Sequence, residues 1–259
     1  MNQLNYQIRF AELTSDLREE EAFIVTQDQQ ETEYRLQDYG KVFAVPLLYE
    51  NLCSLLKYQS PETVAMQLIT EVIKQKQDIE SLVVFEIAAG TGLCGKHLHS
   101  LGVKSIVGVD IVPEAAMAAN RDYPDVYEKY YVEDLTDITP IAKQELVEKK
   151  FNTLVCCSSL SCHFPIQGFI NSFNLIENDG WITFNVNTYV IDSFEDEDSF
   201  EQKKAIDFSL LYQYMIKEGI LEVTNKHYYI HRFLTNGKPL DYVSVTARKR
   251  EDIPENWQV

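Results

Sequence analysis

Residues 84–95 read VFEIAAGTGLCG, and the rest of the chain is organised around them. An apolar run is interrupted by one acid, Glu86, and then passes through two alanines into Gly90, Gly92 and Gly95. The glycines fit G-x-G-x-x-G, the spacing with which a strand-to-helix turn brings its backbone close to the pyrophosphate of a dinucleotide. Glu86 argues the other way. A carboxylate four residues ahead of the first fingerprint glycine repels a phosphate and favours a cation. What this turn binds depends on that acid.

Outward from the turn the apolar periods alternate. Leu82–Ile87, Ser105–Val109, Tyr130–Val132, Thr153–Cys157 and Trp181–Val186 read as short strands, most of them continuous apolar runs of the kind buried on both faces. Between them, 93–101, 113–121, 139–149 and 166–176 carry helical spacing, and a further helix is expected over 61–76, with Ser60 as N-cap and Pro61 in the first turn. The pattern continues with a helix over 202–217 and two strands, 220–232 and 240–249, joined at Thr235-Asn236-Gly237-Lys238, a strong hairpin signal. The expected architecture is α/β: a doubly wound, seven-stranded, mostly parallel sheet with an antiparallel C-terminal hairpin. Residues 61–259 form this domain. Residues 1–60 read as an N-terminal helical arm or lid, polar through 38 and then aromatic, with Tyr39 and Tyr49 either covering a ligand or packing as core.

In such a sheet, ligands bind outside the carboxyl ends of the strands. Three acids stand at consecutive ends: Glu86, Asp110 after IVGV, and Asp134 after YYVE. Asp110, 18 residues beyond Gly92, is placed to accept from both hydroxyls of a ribose. Asp134 is placed to accept from an adenine amine. With Glu86 beside a cationic amino-acid tail, the three together describe S-adenosylmethionine. NAD(P) is the competing ligand, since the glycines and Asp110 also suit an oxidoreductase. Glu86 and Asp134 oppose it, and no Tyr-x-x-x-Lys proton donor follows the fourth strand.

The segment VFEIAAGTGLCGKHLHSLGVKSIVGVDIVPEAAMAANRDYPDVYEKYYVEDLTD resembles class I S-adenosylmethionine-dependent methyltransferases, most strongly over residues 82–135. It carries their D/E-x-G-x-G-x-G turn, the acid ending the second strand and the Asp-Leu pair after the third. Ala88 departs from the pattern, standing where the family has its first glycine. The resemblance implies that Ala88, Ala89, Gly90, Thr91 and Gly92 approach the methionine part. It also implies that Asp110 holds the ribose with Ile111 on the adenine, that Asp134 and Leu135 meet the adenine edge, and that Ser158 and Ser159 lie near the transferred methyl. A non-catalytic protein that kept the fold and the ligand is a third reading.

Bulk properties narrow the partners. The chain has 259 residues and a net charge of −17, which repels phosphate backbones and anionic membrane surfaces. No N/D-P-P-Y/F/W motif follows the fourth strand, so methylation of nucleic-acid bases has no motif support. The expected acceptor is a small molecule or a peptide, with neither nucleic acid nor membrane as partner. Five cysteines without a C-x-x-C pair fit a reducing, cytoplasmic setting. Cys157, Cys162 and His163 match no common zinc spacing, so no metal is expected. His163, in SSLSCHFP, is the candidate general base, or else it makes a loop hydrogen bond. The acidic run 195–201 is either a solvated loop or a selector of cationic acceptors.

Overall fold

The computed structural model describes residues 6–11, 21–161, 164–192, 200–254 and 256–257. Strand β4 (Val83–Ile87) lies at the centre of a seven-stranded sheet, with β5 (Ser105–Asp110) and β6 (Lys129–Val132) on one side. On the other side follow β7 (Phe151–Cys156), β8 (Ile176–Asn187), β10 (Pro239–Lys249) and β9 (Leu221–Phe233), giving the order β6-β5-β4-β7-β8-β10-β9. From β6 to β8 all neighbours are parallel; β10 runs antiparallel to both β8 and β9. The strand order reverses direction at β4, so the crevice expected for a ligand opens where β4 ends.

Alternation within the strands assigns each face to its helices. Val84, Ile106, Val155 and Trp181 pack with Val64, Leu68 and Val72 of α3 (Ser60–Lys74) and with Cys94 and Leu98 of α4 (Leu93–Ser100). Their strand neighbours Phe85, Val107, Leu154 and Ile182 point the other way. There they meet Leu146 of α6 (Pro140–Lys149), Phe169 and Phe173 of α7 (Ile166–Asn174), and Phe208 and Leu211 of α9 (Phe200–Lys217). Phe208 and Tyr212 are therefore core, with Phe208 edge-on to both Phe169 and Phe184. Helix α5 (Pro113–Asp122) follows β5, and the short α8 (Tyr189–Asp192) follows β8.

The N-terminal extension differs from the expected arm. It is helical from α1 (Tyr39–Ala44) through α2 (Leu48–Leu55), but a three-stranded antiparallel sheet stands ahead of them: β1 (Tyr6–Phe10), β2 (Ala22–Gln27) and β3 (Gln30–Arg35). Strands β2 and β3 are joined at Asp28-Gln29, both with positive φ, the geometry of a tight hairpin made without glycine. Phe23, Val25, Val42, Leu48 and Leu52 give this layer its own small core. No helix among the described residues is long and apolar enough to cross a membrane.

Candidate active site

One cavity of about 460 Å³ lies over the carboxyl ends of β4, β5, β6 and β7, and α1 and α2 close it from the N-terminal side. Glu86, Ala88, Ala89, Gly90 and Thr91 form its floor; Asp110 and Ile111, then Asp134 and Leu135, its β5–β6 end; and Ser158 its β7 end. Tyr39 and Tyr49 line it as well, joined through Phe43, which stacks on Tyr39 and meets Tyr49 edge-on. All the residues expected around a cofactor share this wall except Gly92.

Gly92 serves the wall from behind. It has φ +91, and a Cβ there would lie 2.9 Å from the Tyr127 ring. Gly95 is more tightly constrained. Its Cβ would meet the Tyr127 hydroxyl at 2.5 Å and Glu86 Oε2 at 2.7 Å. The third glycine of the fingerprint thus admits a buried pair in which the Tyr127 hydroxyl donates to Glu86 Oε2 at 2.9 Å. Tyr127 was not singled out from the sequence. The space it occupies, left by Gly92, Gly95 and Gly108, exists only in the folded chain.

Glu86 is 1% exposed, on the α4 side of β4. Burial raises its carboxyl to about 8, against the lowering effect of the Tyr127 hydroxyl and the Gly95 N–H. No Lys or Arg lines the cavity among the described residues. The floor therefore holds an acid without a cationic partner.

Asp110 is tied into the turn that it follows. Its Oδ2 accepts from the Gly90 N–H at 2.9 Å and its Oδ1 from the Val112 N–H at 3.0 Å, and partial burial raises its carboxyl above the ordinary value. Asp134 is exposed at the rim. Its Oδ1 accepts from both the N–H and the hydroxyl of Thr136, which holds it below the usual carboxylate range. Thr91 Oγ1 is buried in the floor with no hydrogen-bond partner. A buried hydroxyl left unpaired costs free energy that a ligand with a polar group can recover.

At the β7 end, Ser158 adopts φ +66, and its N–H donates to Asn185 Oδ1 at 2.7 Å. Asn185 sits in β8 on the α3 side and donates to Ser60 Oγ and the Tyr229 hydroxyl, at 2.9 and 2.8 Å. The signal for Asn185 was present in the sequence as a lone amide inside the apolar run of β8. His163 and Cys162 lie outside the described residues, as do residues 195–199 of the acidic run.

No family model matches the chain, and no curated protein does. Solved structures do. A candidate RNA methyltransferase from Pyrococcus horikoshii is 16% identical, with 75% of this chain and 88% of that one covered at a TM-score of 0.50. The YcgJ protein from Bacillus subtilis is 15% identical, with 72% and 99% covered, also at 0.50. The chain has the class I methyltransferase fold. The methyltransferase-fold sheet accounts for β4 to β10, and the cavity occupies the crevice this fold offers at its switch point. A magnesium protoporphyrin IX methyltransferase from Synechocystis, solved with S-adenosylhomocysteine, overlaps at 0.49 and 12% identity, with 73% of this chain and 82% of that one covered.

Proposed function

We propose that this chain is an enzyme that transfers a methyl group from S-adenosylmethionine to a small molecule or a peptide. One observation carries the reading: Glu86, Asp110 and Asp134, from three adjacent strand ends, meet in a single cavity that no Lys or Arg lines among the described residues. A pyrophosphate over Gly90 would be desolvated in a cavity that no Lys or Arg lines among the described residues, which disfavours NAD(P). An adenosyl amino acid reverses the sign. Its cationic tail suits Glu86, its ribose hydroxyls suit Asp110, and its adenine suits Asp134 and Ile111. Thr91 Oγ1, buried and unpartnered, supplies a further polar contact for such a ligand.

When bound, this cofactor supplies an electrophilic methyl on a sulfonium. The chain's own part is to orient and to exclude water, with Tyr39, Phe43 and Tyr49 covering the cleft. Ser158, beyond β7, is the residue assigned to the methyl side.

Calorimetric titration with S-adenosylmethionine, S-adenosylhomocysteine and NADH tests the reading. Both adenosyl amino acids are expected to bind and NADH to give no heat. Binding of NADH alone would replace this reading with an oxidoreductase.

A further inference from the structure

The cavity has a second end, which the adenosine-binding acids do not reach. Strand β4 separates β5 and β6, the bearers of Asp110 and Asp134, from β7. Beyond β7, Cys157, Ser158 and Ser159 form the wall, and Tyr58 and Pro61 bring the entry of α3 against it. The Tyr58 hydroxyl lies 3.8 Å from Cys157 Sγ, and Cys157 Sγ lies 3.6 Å from Ser158 Oγ.

This wall is held firmly from behind. Asn185 Nδ2 lies 3.1 Å from Ser158 Oγ, in addition to its bonds to Ser60 and Tyr229. Ser60 Oγ is 2.7 Å from the Tyr229 hydroxyl and 2.6 Å from His231 Nδ1, and the His231 ring stacks on Tyr242 at 3.8 Å. Asn185 of β8, itself held by residues of α3 and β9, thus anchors a serine with a left-handed backbone. A non-glycine residue persists in that conformation when its surroundings over-determine it, and such positions cluster at ligand-binding walls.

The chemistry of the wall is selective. It offers hydroxyls, a thiol and the ring of Tyr58, and Tyr49 lines the same cavity from α2. The same cavity holds the carboxyl groups of Glu86, Asp110, Glu133 and Asp134 and, among the described residues, no Lys or Arg. An anion brought to this end would be desolvated with no Lys or Arg among the described lining residues to offset the cost. The volume sets a second limit. About 460 Å³ is toward the small end of ligand sites.

Resting on the methyltransferase reading above, we infer that the β7 end receives the methyl acceptor, and that the acceptor is a small ring-bearing molecule with an uncharged nucleophile, a phenol or an aromatic amine. The lone pair of its oxygen or nitrogen forms the new bond to the methyl carbon, the carbon–sulfur bond breaks and its electron pair returns to sulfur. The proton of the acceptor leaves to water. Tyr58 and Ser158 hold the acceptor through hydrogen bonds, and the aromatic rings hold its flat face.

Binding tests this without knowledge of the natural acceptor. Protein saturated with S-adenosylhomocysteine is titrated with phenol, aniline, benzoate and phenyl phosphate, and followed by NMR. Phenol and aniline are expected to bind and to shift the signals of Tyr58 and Ser158, with benzoate and phenyl phosphate at least about 10-fold weaker, the loss of roughly 1.4 kcal/mol or more. Tyr58→Phe, which keeps the ring, is expected to weaken phenol several-fold. Benzoate or phenyl phosphate binding as well as phenol would overturn the inference, and so would no binding of phenol or aniline. Failure to bind S-adenosylhomocysteine at all would sink the methyltransferase reading instead.

Discussion

Ala88 stands where the resembling family has a glycine, and the structure shows what the exchange entails. Its φ is +50, a left-handed conformation that sets Cβ too close to the following carbonyl oxygen. The loop closes nonetheless, because Ile87 before it is paired in the sheet, and after it Ala89 N–H donates to Val109 O and Gly90 N–H to Asp110 Oδ2. Strain of this kind costs roughly 1–2 kcal/mol in an L-residue. Glycine would relieve it while losing about 0.5–1 kcal/mol to its greater unfolded freedom. Ala88→Gly is therefore expected to stabilise the protein by about 0.5–1 kcal/mol, a rise in Tm of roughly 1–3 °C by calorimetry. A lower Tm would mean that the alanine methyl makes packing contacts worth more than the strain.

Among the elements, the sheet and its helices were legible because every strand from β4 to β8 except the short, half-exposed β6 contains an apolar run between helical periods. Even the β9–β10 hairpin is marked by Asn236-Gly237. The N-terminal layer was not legible. Strand β3, QETEYR, is almost wholly exposed and shows no apolar alternation, and its hairpin turns on Asp28-Gln29 rather than on a glycine. What holds that layer to the domain is also non-local. The Arg232 guanidinium of β9 donates to both carboxylate oxygens of Glu21, at 3.0 and 2.5 Å, and the Thr235 N–H adds a third bond at 2.8 Å. The Glu21 side chain is fully buried. Removing one partner of a buried pair leaves the other charge poorly compensated, at a cost of about 3–5 kcal/mol. Glu21→Ala is expected to destabilise the protein by about that much. Hydrogen exchange should speed up first in β1–β3 and α1–α2, ahead of β4–β8. Uniform acceleration across the sheet would show that the layer and the domain unfold as one unit.

For the whole molecule, the site and the fold are coupled through Glu86. The sequence made this acid conspicuous, but its burial depends on Tyr127 and on the gaps left by three glycines, which no spacing reveals. A folded-state carboxyl at about 8, against an ordinary 4.5, means that the folded chain holds its proton more tightly than the unfolded chain does. The sign follows from linkage: the stability from this group is complete below the unfolded value and is lost as pH rises toward 8. A cationic ligand acts in the opposite direction, since it prefers Glu86 ionised and binds more tightly as pH rises through the same window. At 100 times its Kd, a ligand adds about 2.7 kcal/mol, roughly 5 °C in Tm for a chain of this length. The ligand-free protein is thus expected to lose Tm between pH 5 and pH 8, while the increment from a fixed concentration of S-adenosylhomocysteine grows. In Glu86→Gln both slopes should flatten, with weaker binding at pH 8. A Glu86→Gln protein that keeps the wild-type slopes would move the titrating group elsewhere, with Asp110 the next acid to test. Wild-type slopes of opposite sign would mean that Glu86 is already ionised in the empty cavity.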